Sequence, residues 1–298
     1  MAKAWIKAAR LRTLPLTLVC IGTGSAAAYV SGRCSPVVFA LTFLTAVLLQ
    51  VLSNFANDYG DFVKGTDNEA RVGPQRAVQS GAITRAQMLA ALWVCGLGAL
   101  ASGIGLLVYA LDTWTEWLVF FGLGLVSILA AVTYTVGRHA YGYNGLGDVM
   151  VFIFFGLTGV WGSYYLQTAT LDALALLPAV SVGLFSTGVL NMNNLRDIEN
   201  DRACGKITVP VRIGEKATKI YQAVIVVAGL VSAGLYFVLL RRPVLVWGLL
   251  PAALFFSFHL AGVFREKRYA GFDRQLKLCV ASTLLFGLSF AVLCFAGF

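Results

Sequence analysis

The sequence predicts an all-α fold, a polytopic membrane bundle of about nine transmembrane helices in which residues 1–298 form one membrane domain carrying two acid-rich inner loops. Three observations predict it. Hydrophobic residues make up 58% of the chain and Asp, Glu, Lys and Arg only 12%, a balance that excludes a water-soluble fold. Nine windows have the roughly 20 mostly apolar residues that a bilayer crossing needs. Lys and Arg cluster between alternate windows.

The first window, residues 13–32, follows Lys3, Lys7, Arg10 and Arg12 in the manner of a secretory signal, but eight further windows assign it to the bundle. The second, 35–57, leads into a 28-residue polar segment, 58–85. The third and fourth, 86–111 and 117–137, lead to a short segment, 138–148, that holds Arg138 and one acid, Asp148. The fifth and sixth, 149–171 and 173–195, meet at Asp172 and are followed by a 24-residue segment, 196–219. The seventh, eighth and ninth are 220–240, 243–264 and 278–298.

With the N-terminus inside, 20 of the 23 Lys and Arg residues fall in inner segments, so count and orientation support each other. The expected location is a bacterial cytoplasmic (inner) membrane. The net charge of +9 is then first a topology signal. It calls for no nucleic acid, although a basic inner face also attracts an anionic substrate. Six cysteines without C-x-x-C spacing and two histidines, His139 and His259, give no support to zinc, haem attachment or a disulfide framework. The cysteines read as small apolar core residues.

Two inner segments stand out because loops of 28 and 24 residues are usually functional or disordered. In the first, N-F-A-N-D-Y-G-D-F-V-K-G-T-D, residues Asn54, Asn57, Asp58 and Asp61 fall on one helical face. Gly65 can end the helix, with Asp67 on the turn beyond and Arg71 and Arg76 following. In the second, N-M-N-N-L-R-D-I-E-N-D, Asn194, Asp197 and Asp201 share a face beside Arg196, with Lys206 and Arg212 further on. Solvated, Arg-paired carboxylates at helix ends are the plain alternative. Two features count against it: the Asn residues carry polarity back toward the bilayer, where it is costly, and the pattern occurs at the ends of both the second and the sixth spans.

If those ends face each other, Asp58, Asp61, Asp67, Asp197 and Asp201 converge in one cavity and repel one another unless cations intervene. Sparse oxygen ligands beside Arg and Lys suit Mg²⁺ bound largely through a phosphorylated substrate. A diphosphate at the membrane surface with its tail in lipid suggests a polyprenyl diphosphate. Glycines gathered in the third to fifth spans, among them Gly103, Gly124, Gly156 and Gly159, fit a groove for that tail or close helix packing.

These residues resemble the UbiA-type membrane aromatic prenyltransferases, whose motifs N-D-x-x-D-x-x-x-D and D-x-x-x-D follow the second and sixth of nine helices. Asn57-Asp58-x-x-Asp61 with Asp67 matches the first and Asp197-x-x-x-Asp201 the second, the Asp61-to-Asp67 spacing being longer than the generic pattern. N-D-Y-G-D-F-V-K-G-T-D with R-V-G-P-Q-R-A-V-Q-S-G resembles the 1,4-dihydroxy-2-naphthoate polyprenyltransferase branch of menaquinone synthesis. So do R-L-R-T-L-P, Y-N-G-L-G-D and the stretch from Asn194 to Gly214.

The resemblance implies that Asp58, Asp61, Asp197 and Asp201 bind Mg²⁺, with Asp67 as a further candidate. It implies that Arg71, Lys206 and Arg212 contact diphosphate, with Lys64, Arg76 and Arg138 as further candidates, and that Asn54, Asn57 and Asn194 orient carboxylates or metal-bound water. Asp148 could reach the acceptor or simply carry charge at a helix N-terminus. The implied reaction joins the prenyl group of polyprenyl diphosphate to 1,4-dihydroxy-2-naphthoate with loss of CO₂, giving demethylmenaquinone without a strong protein base. A cation transporter is the rival from another class, but transporters place acids near the midplane, whereas these lie at helix ends. Another aromatic acceptor is the rival within the family.

Overall fold

A computed structural model describes residues 1–69 and 71–297, apart from the Arg12 side chain; Phe298, the end of the ninth predicted span, lies outside the described residues. Eleven helices are named here: α1 (Ala2–Ala8), α2 (Leu14–Val30), α3 (Pro36–Val63), α4 (Arg85–Ala110), α5 (Trp114–Thr133), α6 (Gly147–Thr168), α7 (Leu176–Arg196), α8 (Ile198–Ala203), α9 (Val209–Leu239), α10 (Pro243–Arg265) and α11 (Phe272–Gly297). Eight of them are long and apolar enough to cross a membrane, and α2 is a shorter apolar helix of 17 residues. Among the described residues the nine predicted spans therefore all appear as helices. At 1.5 Å per residue α2 is about 26 Å long, near the roughly 30 Å hydrocarbon thickness.

Local chemistry sets the helix ends. Ser35 accepts from Val38 N and precedes Pro36, and Thr84 with Gln87 and Thr113 with Glu116 form reciprocal capping boxes at α4 and α5. The 28 residues of α3 extend about 42 Å, so its last turns run past the apolar window and carry Asp58 and Asp61 on helix rather than loop. Gly65, at φ 72°, ends this helix as expected, and the N–H groups of Thr66 and Asp67 turn back to the carbonyl of Asp61. α7 ends at Arg196, so Asp197 is the junction between two helices and Asp201 lies on the separate helix α8.

The most buried span is α7, packed against α6, α9 and α11. Phe185 on α7 stacks on Phe256 at 4.5 Å and meets Phe286 edge-on at 4.9 Å. Polar groups inside this core pair with each other: Asn191 donates to Gln222 Oε1 at 2.8 Å, and Gln222 Nε2 lies 3.0 Å from His259 Nε2. α4 and α5 turn Trp93, Val94, Val108 and Leu129 outward, the apolar surface that lipid covers.

Part of α6, Phe152–Trp161, has π-helical winding, which loosens its carbonyls. Cys20 on α2 donates its thiol to one of them, Phe155 O, at 2.8 Å. The glycines divide between both readings. A Cβ at Gly156 would sit 2.6 Å from Ala179 O, so that residue serves close packing of α6 on α7, whereas Gly103, Gly124 and Gly162 border a cavity.

Candidate active site

Between α2–α7 and the start of α11 lies a cavity of about 650 Å³. Leu107, Phe120, Phe121 and Leu166 line its apolar end; Asn57, Asp61, Asn194, Asp197, Asp201 and Lys206 line its charged end. The two acidic helix ends therefore do face one another across a single chamber.

Lys206 joins them. Its ammonium lies 3.7 Å from Asp61 and 3.9 Å from Asp201. Burial works against its charge, but Asp61 and Asp201 outweigh that and hold the ammonium above its usual range. Tyr143, from the segment between α5 and α6, donates to Asp61 Oδ1 at 2.8 Å and shares a 2.6 Å hydrogen bond with Thr66. Burial pushes Asp201 up to about 6 despite Lys206, with Asp197 and Asp61 adding to the rise. The cost of burial also bears on Asp197, but Arg196, at 2.7 and 3.1 Å, outweighs it and keeps that carboxyl below the usual range.

The segment after Asp67 folds over this chamber. Gly73 N donates to Asp197 Oδ1 at 3.1 Å, and Arg71 reaches Asp197 at 3.4 Å and Asp67 at 3.2 Å. Arg76 lies 3.7 Å from Asp67. The glycine at 73 lets this path run close against Arg196, since a Cβ there would come within 2.6 Å of its Nη2 and push that side chain aside. Burial pushes Asp67 up to about 6 against the pull of Arg76, and burial with Arg71 lowers Arg76 to about 10. The segment from Ala140 to Asn144 and the stretch before α9 are knitted in through Ile207 N, which donates to Tyr143 O at 3.0 Å, and Asn200 Nδ2, which donates to Thr66 O at 2.8 Å.

Several expected positions lie elsewhere. Asp58 does not line the chamber: its two oxygens accept from Ala77 N at 3.1 Å and Val78 N at 3.3 Å. Asp67 is buried under Arg71 and Arg76, just outside the chamber wall. The five carboxylates thus do not converge on one point, because the returning loop draws two of them away. Lys64 lies over the Tyr143 ring at 4.0 Å. Arg212 is exposed and donates to Asn144 O at 2.6 Å; the non-helical Gly214 beside it, φ 79°, separates that turn from the rest of α9. Arg138 is exposed beyond α5, and Asp148 turns to Tyr221 at 3.1 Å.

Tyr143 and Gly73 received no individual role from the sequence, although both fall in the stretches that carry the resemblance. Arg10, which also borders the chamber, opens R-L-R-T-L-P, another of those stretches, and likewise received no individual role.

For a metal, the donor set favours an ion carried in by substrate. Among the described residues no three His, Cys, Asp or Glu side chains form a ready cage. Asp61, Asp197 and Asp201 present oxygen ligands to the chamber, and the buried Asn57 Oδ1 has no hydrogen-bond partner. That set fits Mg²⁺, which takes one or two carboxylates and completes its shell with phosphate and water.

Comparison with known proteins places this geometry in context. The model of the UbiA prenyltransferase family matches residues 16–281. The chain is 42% identical over 290 residues to the 1,4-dihydroxy-2-naphthoate octaprenyltransferase of Escherichia coli K12, covering 97% of this chain and 94% of that one. The fold is shared with an apo UbiA homolog from Aeropyrum pernix K1, at a TM-score of 0.72 and 18% identity over 95% of this chain and 98% of that one. It is also shared with a UbiA homolog from Archaeoglobus fulgidus bound to DMAPP and Mg²⁺, at a TM-score of 0.61 and 12% identity over 95% and 99%.

Proposed function

This chain belongs to the UbiA prenyltransferase family, and on that premise we propose that it transfers a polyprenyl group from polyprenyl diphosphate to 1,4-dihydroxy-2-naphthoate. The observation that carries this reading is the chamber itself, an apolar channel whose one charged end holds Lys206 between Asp61 and Asp201. The 42% identity across nearly the whole chain to a naphthoate enzyme supports the choice of acceptor.

In the proposed reaction the allylic C–O bond breaks, and the diphosphate leaves with the bonding pair. The electron-rich ring carbon that bears the carboxylate forms the new C–C bond. CO₂ then departs, leaving its C–C pair in the ring, and the product is the hydroquinone of demethylmenaquinone. The acceptor's two hydroxyls supply the nucleophilicity, so no protein base is assigned.

The chain's residues bind and orient. Lys206 and Arg71 neutralise diphosphate oxygens, Tyr143 fixes the Asp61 carboxylate, and Asn57 and Asn194 orient ligands at the chamber mouth. Asp61, Asp197 and Asp201 would hold Mg²⁺, which when bound supplies Lewis-acid stabilisation of the leaving diphosphate. The apolar end excludes water from the developing allylic cation. The charged end faces the cytoplasm of a bacterial inner membrane, a placement supported by the one-sided distribution of Lys and Arg.

The test is an acceptor panel with purified protein and one polyprenyl diphosphate. Prenylated product from 1,4-dihydroxy-2-naphthoate, lacking the carboxylate by mass, is expected. Product only from 4-hydroxybenzoate or homogentisate would reject the acceptor.

A further inference from the structure

Arg10 occupies the sharp turn between α1 and α2. Its backbone is left-handed, φ 52° and ψ 56°, a conformation that L residues other than Asn and Asp seldom adopt. Two hydrogen bonds pin this turn: Asn54 Nδ2 on α3 donates to Ala9 O at 2.9 Å, and within the turn Thr13 Oγ1 donates to Arg10 O at 2.9 Å. The side chain is thereby held as a partition, bordering the main chamber on one side and a smaller pocket of about 310 Å³ under Pro74 and Ala77 on the other.

Nε and Nη2 of Arg10 are closed off from solvent and have no hydrogen-bond acceptor. The acids around it are engaged elsewhere. Asp58 accepts from Ala77 and Val78, and Asp61 is held by Tyr143 and Lys206. Its cationic neighbours, Arg71 and Arg76, add only repulsion. A buried guanidinium edge without an acceptor is costly, and an oxyanion that offers it two oxygens, a carboxylate or a phosphate, is the group that restores it best.

We infer that Arg10 is a substrate-binding residue whose guanidinium takes an oxyanion brought into the chamber by a substrate. Under the proposed function, on which this inference rests, two groups carry that chemistry: the diphosphate of the prenyl donor and the carboxylate of the aromatic acceptor. Arg10 then acts with Arg71 and Arg76 as one basic wall, and its strained turn aims the guanidinium before substrate arrives.

The test uses full-length Arg10→Gln and Arg10→Met in detergent. Ligand-free unfolding midpoints identify the variants that fold. The rise in midpoint is then measured with magnesium pyrophosphate and, separately, with 1,4-dihydroxy-2-naphthoate, and KM is determined for each substrate. A folded variant should lose the response to one anion and show a KM for the matching substrate raised about ten- to a hundredfold, the other KM staying unchanged. Loss with pyrophosphate assigns the donor, loss with naphthoate the acceptor. A folded variant that keeps both responses and both KM values overturns the inference. If the wild type makes no naphthoate product yet only the variant loses its pyrophosphate response, the proposed acceptor fails while the role of Arg10 stands.

Discussion

Asp58 holds Ala77: one carboxylate oxygen accepts the Ala77 N–H at 3.1 Å while the other takes Val78 N at 3.3 Å. This contact fixes the returning loop one residue beyond Arg76 and so sets where the basic wall stands. Asp58→Asn keeps only one acceptor oxygen for two donors, at a cost of about 1–3 kcal/mol for the N–H left without one. Faster proteolysis within residues 71–80 and a partial loss of turnover are expected, smaller than the loss in Asp61→Asn. Equal losses in the two variants, with unchanged proteolysis, would show that Asp58 serves the metal and not the loop.

Lys206 stands between Asp61 and Asp201 on the chamber wall and pairs with both. Lys206→Gln leaves those carboxylates facing each other and removes a charge from the leaving diphosphate. Turnover should fall by roughly a hundredfold, the scale of losing one preorganised electrostatic contact. Steady-state rates at saturating magnesium check this, and a rate near that of the wild type would remove Lys206 from the reaction.

Burial raises both Asp67 and Asp201 to about 6. The folded chain therefore binds these protons more tightly than the unfolded chain, and between pH 4 and 6 their contribution to stability falls as pH rises. Lowering pH from 7 to 5 should leave stability intact or raised through these two groups while turnover declines with a midpoint near 6. Because metal competes with the proton for a carboxylate, raising magnesium should move that midpoint downward. Rate profiles at two magnesium concentrations, with unfolding midpoints at each pH, test this, and a magnesium-independent midpoint would contradict it.

Gly103 borders the chamber, 3.7 Å from its ideal Cβ position to Thr45 Cγ2. Thr45 lies about 24 Å along α3 from Asp61, deep in the apolar end. Gly103→Leu should slow a long-tailed donor about tenfold through the volume it takes, leaving a two-isoprene donor unaffected. Comparing kcat/KM for the two donors tells whether the tail runs along this path; equal effects would place it elsewhere.

Much of this architecture was legible because hydrocarbon imposes it. Spans must be long and apolar, so α3, α7 and their partners could be read from windows, and the stop at Gly65 followed from its tolerance of positive φ. The meeting of Asp61 with Asp201 followed from two matching polar helix ends, whereas the place of Lys206 between them did not. Side-chain direction was not legible at Asp58, which shares a helical face with Asp61 yet turns to Ala77, because that choice depends on where a loop some 20 residues later returns. The resemblance implied a diphosphate contact for Arg212, but the bend at Gly214 and the contact with Asn144 O turn it away from the chamber wall. The role inferred for Arg10 was not legible, because nothing in R-L-R-T-L-P shows that a left-handed turn brings its guanidinium to the chamber.

The most direct measurement follows acceptor labelled in its carboxylate, with polyprenyl diphosphate and purified protein, with magnesium and after chelation. One labelled CO₂ per prenylated product, formed only with magnesium and lost in Asp61→Asn and Asp201→Asn, is the predicted result. Product that retains the label, or equal turnover after chelation, would contradict the account.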